Sequence, residues 1–188
     1  MTGLILNGGG SDLDAIADIV AKELAGYGCT ASEARLRDIE IAGCAGCFRC
    51  WVATPGVCVI NDPGRAIAAV MVRSDVVVFL TPVVFGGYSY DLKKALDRSI
   101  PLLLPFFRKV HGEVHHQMRY DKYPRIIAIG AQRVKDDESA RIFRQLAARN
   151  AINFEAPGSS SVVIDAAWER GRIEEAVRAA LDEAGVRK

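Results

Sequence analysis

Net charge is nearly absent from the sequence: 24 Lys and Arg stand against 23 Asp and Glu in 188 residues, a balance of +1. That excludes the strongly basic footprint of a nucleic-acid binder. Long hydrophobic runs are absent too. Stretches such as 76–79 and 102–104 fall far short of the roughly 18 apolar residues of a membrane-spanning helix. The opening Met1-Thr2-Gly3-Leu4-Ile5-Leu6-Asn7 has neither a basic nor a long apolar region, so it reads as a strand and not as a secretory signal. Aromatics are sparse at 7%, yet a 50% hydrophobic content with little net charge is too apolar for disorder. The length predicts about one domain, over residues 1–188. A core of that size needs no disulfide or metal staple. A cytoplasmic, reducing setting is the expectation, and there grouped cysteines point to metal or redox chemistry. Cys44, Cys47, Cys50 and Cys58 are grouped within fifteen residues; Cys29 stands apart and reads as a plain thiol.

Strand-like runs alternate with helical spacing along the whole chain. Residues 4–6 end at Asn7-Gly8-Gly9-Gly10, after which Leu13, Ile16, Ala17, Ile19, Val20 and Leu24 recur at helical steps. Ser11 or Asp12 is the expected cap of that helix, and Gly26 or Gly28 its stop. A weaker strand over 31–36 precedes the cysteines. Asp62-Pro63 opens a second helix, with proline at its first position. Residues 75–80 form the strongest strand, a continuous apolar run after Asp75, as for a strand covered on both faces. Residues 125–130 and 162–164 supply two more strands, 138–149 and 173–184 two more helices. Five such units predict an α/β fold with a mostly parallel sheet. Residues 110–122, with three histidines, read as an irregular surface insertion. Residues 101–107 are apolar enough to be core or a subunit interface.

Ligands of open parallel sheets bind beyond the carboxyl ends of the strands. Three informative loops follow strands here: 7–14, 81–89 and 130–135. Gly8-Gly9-Gly10-Ser11 joins strand to helix and could bind a phosphate on free amides. It is neither G-x-G-x-x-G nor a Walker loop, and Asp12 and Asp14 oppose an anion. Pro82-Val83-Val84-Phe85-Gly86-Gly87-Tyr88 mixes apolar groups with exposed amides, as a planar cofactor requires, although Phe85 and Tyr88 could equally be core or rim aromatics. The spacing Cys44-x2-Cys47-x2-Cys50-x7-Cys58 begins like a bacterial ferredoxin run. The alternative is a set of retained, reduced thiols. His111, His115 and His116 have no acidic or Cys partner at helical spacing and read as polar-loop residues. Arg133 and Lys135 read as a solvated pair, the alternative being contact with a phosphate of a pyridine nucleotide.

Three blocks in order resemble the NADPH-dependent FMN reductase and iron–sulfur flavoprotein family: residues 44–62, 74–86 and 92–98. The resemblance implies a flavodoxin-like three-layer sandwich with a five-stranded parallel sheet in order 2-1-3-4-5. FMN would sit between the first and third strands, its phosphate on Gly10, Ser11, Asp12 and Leu13. Its ring would pack on Pro82, Val83, Val84, Phe85 and Gly86, with Gly130, Ala131 and Gln132 closing the site. The implied activity passes electrons from NAD(P)H through FMN to a quinone, a flavin or another small-molecule or protein acceptor, with no side chain as acid or base. The iron–sulfur branch implies instead an electron-transfer module with a [4Fe-4S] cluster on Cys44, Cys47, Cys50 and Cys58. A third, non-enzymatic possibility is a thiol sensor or binding protein without flavin. Members of the family are dimers or tetramers, which implies a homodimer or homotetramer here; neither nucleic acid nor membrane is an expected partner.

Overall fold

The computed structural model describes residues 1–110 and 112–187. Its elements in chain order are β1 (Thr2–Asn7), α1 (Asp14–Gly26), β2 (Thr30–Arg35), α2 (Arg49–Val52), α3 (Pro63–Arg73), β3 (Val76–Pro82) and α4 (Tyr90–Asp97). There follow β4 (Leu103–Val110), β5 (Glu113–Met118), β6 (Arg125–Gln132), α5 (Asp137–Asn153), β7 (Ser159–Asp165) and α6 (Arg170–Glu183). The parallel sheet runs β2-β1-β3-β6-β7. Leaving out the β4–β5 hairpin, that is the expected flavodoxin-like order. Side chains of β3 alternate between faces because a strand has a two-residue period. Val77 and Phe79 pack with α3, α4 and α5, while Val76, Val78 and Leu80 pack with α1 and α6. Both faces are therefore covered, which is why this strand reads as an unbroken apolar run.

Side-chain caps fix where three of the helices begin. Asp62 accepts the Gly64 N–H at 3.0 Å ahead of α3, with Pro63 at the first position as expected. Ser89 caps α4 through the Leu92 N–H, and Asp136 caps α5 through Glu138 and Ser139. The cap expected at Ser11 or Asp12 does not form. A 3-10 turn, Ser11–Leu13, is interposed before α1, and neither Gly10 nor Leu13 offers a capping side chain.

The irregular insertion expected over 110–122 is also corrected: β4 and β5 pair as an antiparallel hairpin. Its strand pattern is hidden because polar residues occupy β5. They are held locally instead, His115 on Glu113 at 3.1 Å, and His116 between the rings of Trp51 and Phe107. His111 lies outside the described residues. The apolar segment before the hairpin divides: Leu102 and Leu103 are buried, whereas Phe106 and Phe107 are exposed. Among the described residues no helix is long and apolar enough to cross a membrane.

Asp75 ties the start of the sheet together. It accepts the Thr2 N–H at 2.8 Å and pairs with Lys122. The Lys122 hydrogen bond, with the Thr2 amide, pulls its pKa from 3.8 down to about 2. A depressed carboxylate stabilises the fold above its unfolded pKa and loses that contribution as pH falls through the folded value. Stability should therefore drop between pH 4 and 2. Asp75→Asn should flatten that part of a urea-midpoint profile against pH, and an unchanged slope would refute the assignment.

Candidate functional site

Strand order reverses between β1 and β3, since the chain leaves β1 toward β2 on one side and reaches β3 on the other. Such a reversal opens a crevice at the carboxyl edge. A cavity of about 1010 Å³ lies there. Of the residues expected at a flavin, Gly10, Asp12, Leu13, Pro82, Val83, Phe85, Ala131 and Gln132 line it. Ser11, Val84, Gly86 and Gly130 are not in its wall but support it. Ser11 starts the 3-10 turn, and Val84 closes a tight turn with Gly87 through reciprocal 3.0 and 2.8 Å bonds. Gly86 has φ +78, and a Cβ there would stand 2.6 Å from Ile142. At Gly130 a Cβ would meet Val83 at 2.6 Å and the Phe143 ring at 3.0 Å.

At one end of the cavity the chain offers backbone amides. The Gly8 N–H is committed to Leu80 O and the Gly9 N–H to Asn7 Oδ1. The first bond of the following turn runs from Leu13 N–H to Gly10 O, so Ser11 and Asp12 precede any intra-turn partner, as at every helix start. Asp14, adverse in the sequence, is neutralised. Arg37 donates to both of its oxygens at 2.8 Å, holding the carboxyl below its usual range. Asp12 is paired too, 2.9 Å from Arg133. Lys135 pairs with Asp137 at 3.3 Å.

Another part of the wall, at Pro82, Val83 and Phe85, is apolar. Phe85 is 96% exposed at φ +48, a left-handed conformation rare for a bulky residue. Tyr88 is buried instead, edge-on to Phe79 and Phe143, with its hydroxyl bonded to Asn150. Gln132 is immobilised by two bonds to the Asp136 backbone, at 2.9 and 3.3 Å. Sequence reasoning placed Arg133 on a rim loop but missed Ser139, Asp165 and Ala166 as wall residues. The last two follow β7, so applying the carboxyl-edge rule to every strand would have found them.

The cysteines form a second cavity, of about 280 Å³, into which Cys44, Cys47, Cys50 and Cys58 all face. Among the described residues it shares no wall residue with the first. The reason is a clasp at the end of α4. Arg98, 1% exposed, donates to Asp62 at 2.7 and 2.8 Å, to Ala42 O at 2.8 Å and to Ile60 O at 3.1 Å. Asp62 in turn accepts the Ala42 N–H at 2.9 Å. Both ends of the cysteine segment thus converge on one guanidinium. Burial alone would lower the Arg98 pKa, but Asp62 and the Cys58 sulfur more than offset it. Burial and the neighbouring thiols push the Cys50 thiol up. No three potential ligands converge closely enough to hold a metal ion among the described residues.

Residues 2–168 match the model for NADPH-dependent FMN reductase. The chain belongs to that family. Two iron–sulfur flavoproteins are similar to parts of it. One, from Methanocaldococcus jannaschii, is 36% identical over 98 residues, 52% of this chain and 44% of that protein. The other, from Archaeoglobus fulgidus, is 31% identical over 84 residues, 45% and 40%. The matched part is less than half the length of either relative. Among solved structures, an NAD(P)H:quinone oxidoreductase from Methanothermobacter marburgensis has TM-score 0.68 at 12% identity, covering 96% of this chain and 94% of that one. The azoreductase AzrA has TM-score 0.59 at 17% identity, covering 98% and 97%. These two likenesses speak to the fold.

The large cavity fits the cofactor of an FMN reductase. Its wall combines the glycine turn's amides with an exposed aromatic, and its volume is near that of cofactor sites. The cysteine segment does not fit a cluster equally well, because its thiols share a cavity without converging on a ligand position.

Proposed function

We propose that this chain is an NAD(P)H-dependent oxidoreductase working with FMN in the large cavity. Electrons would pass to a quinone, a flavin or another small acceptor. The observation that carries this reading is the presence of Gly10, Asp12 and Phe85 in the wall of one cavity at the β1–β3 reversal. FMN, when bound, accepts hydride and releases electrons singly or in pairs, so no side chain need act as acid or base. The amides of residues 10–12 bind the phosphate. Pro82, Val83 and Phe85 cover the ring and exclude water, and the Gln132–Asp136 bonds keep the facing wall rigid. The setting we propose is cytoplasmic, and the assembly a homo-oligomer that covers Phe106 and Phe107 on the hairpin.

An absorbance spectrum of protein purified without air tests the reading. A two-banded yellow spectrum, with NADPH oxidation on adding an acceptor, supports it. A colourless protein that fails to take up added FMN overturns it. An additional broad brown shoulder would favour the second reading, an iron–sulfur electron-transfer module; the four thiols facing one cavity are what support that reading. The carboxylates that would argue for a protein without flavin are both paired with arginines.

Phe85 gives a finer test. Its left-handed backbone costs about 1 kcal/mol or more, which glycine would relieve. Removing the ring loses roughly 0.5–1.5 kcal/mol of aromatic packing on the flavin. Phe85→Gly should therefore raise the unfolding midpoint while weakening FMN binding about threefold to tenfold. A variant that binds FMN as tightly as the parent would remove Phe85 from the site.

A further inference from the structure

The phosphate end of the cavity carries carboxylates but no cation of its own in residues 8–14. A cation nevertheless reaches it from a distant part of the chain. Arg133, just beyond β6, extends back to Asp12 and donates to Oδ2 at 2.9 Å. The other oxygen of that carboxylate lies over Gly10, 2.9 Å from where a Cβ would stand. Asp12 therefore holds an anion between an arginine and the glycine turn, where a phosphate would meet the amides of residues 10–12. The pair is open to water, with the side chains 85% and 47% exposed. Exposed ion pairs are weak and easily exchanged. A phosphate dianion offers arginine more charge and a bidentate hydrogen-bond geometry, so it would displace the carboxylate readily.

We propose that Arg133 is the residue that recognises the flavin phosphate, and that Asp12 occupies its place as an internal competitor until FMN binds. This rests on the flavin reading of the cavity and deepens it. A single exchange of partners accounts for both departures of the loop from an anion site: its missing base and its surplus acid. Asp14 takes no part, because Arg37 holds it from the other side. The consequence is selectivity for FMN over riboflavin, which lacks the phosphate and cannot draw Arg133 away from Asp12.

Titrating FMN and riboflavin separately into flavin-free protein, read by flavin fluorescence, tests this. Arg133→Ala should weaken FMN binding roughly tenfold to a hundredfold, the loss expected for hydrogen bonds to a charged group, with riboflavin changed less than about twofold. Arg133→Lys should recover part of the difference. Asp12→Asn should tighten FMN severalfold and leave riboflavin alone. Thermal melts of the variants should match the parent, since both side chains are exposed. If Arg133→Ala shifts both flavins equally, or neither, Arg133 has no phosphate role. If the parent binds FMN no better than riboflavin, the inference also falls while the flavin reading stands. A parent that binds neither flavin sinks both.

Discussion

Arg98→Met should cost this protein about 3–5 kcal/mol of stability, the penalty for leaving one partner of a buried ion pair unmatched. Four hydrogen bonds disappear at once, two to Asp62 and one each to Ala42 O and Ile60 O. The loss is not confined to the pair. Asp62 also caps α3 and holds the Ala42 amide, so an unpartnered carboxylate there loosens the helix start and the entry to the cysteine segment. Cys50, 8% exposed, should become reactive toward a thiol reagent, while Cys44 and Cys47, already exposed, should react as before. Urea unfolding gives the first number and the kinetics of thiol labelling the second. A stability change below about 1 kcal/mol would mean that the clasp is dispensable, as exposed pairs often are.

Gly130→Val should damage stability and the site together. A Cβ at this position already intrudes on Val83 and Phe143, and valine adds two further methyl groups. Overpacking of this kind costs about 1–3 kcal/mol. The strand cannot move aside, because Gly130 is paired with Thr81 on one side and Val163 on the other. Val83 must move instead, and with it the wall of the large cavity, where the Val83 N–H is bonded to Ala131 O at 2.9 Å. FMN affinity should fall more than tenfold. Gly10→Ala makes the contrast, since its Cβ would meet only the far end of the Asp12 side chain. Its effect on folding should be small. Equal stability losses in the two variants would contradict the packing argument.

Much of the fold was legible because local patterns and the tertiary structure agree. The run at 76–80 is apolar on both faces because helices cover both faces of β3. Asp62-Pro63 opens α3 in the sequence and in the structure, since capping acts within a few residues. The hairpin was not legible, because β5 is polar and is stabilised by a contact within it, His115 to Glu113, and by the distant Trp51 ring. Nor was the cap of α1, where a 3-10 turn replaces a side-chain hydrogen bond.

The near-neutral charge, the absent hydrophobic runs, the alternation of strand and helix and the three ordered blocks are properties of the sequence alone. The alternation determines an α/β sheet, because strand period and helix capping are local, and the three blocks imply by resemblance its strand order, the FMN reductase family and the loops expected at the site. Only the tertiary structure decided the electrostatics. It paired Asp14 with Arg37 and Asp12 with Arg133, residues 23 and 121 positions apart. It also separated the cysteine cavity from the large cavity at the β1–β3 reversal, through a clasp joining residues 42, 60, 62 and 98. Coulomb and hydrogen-bond energies depend on distance in space, and no local pattern in the chain records that distance.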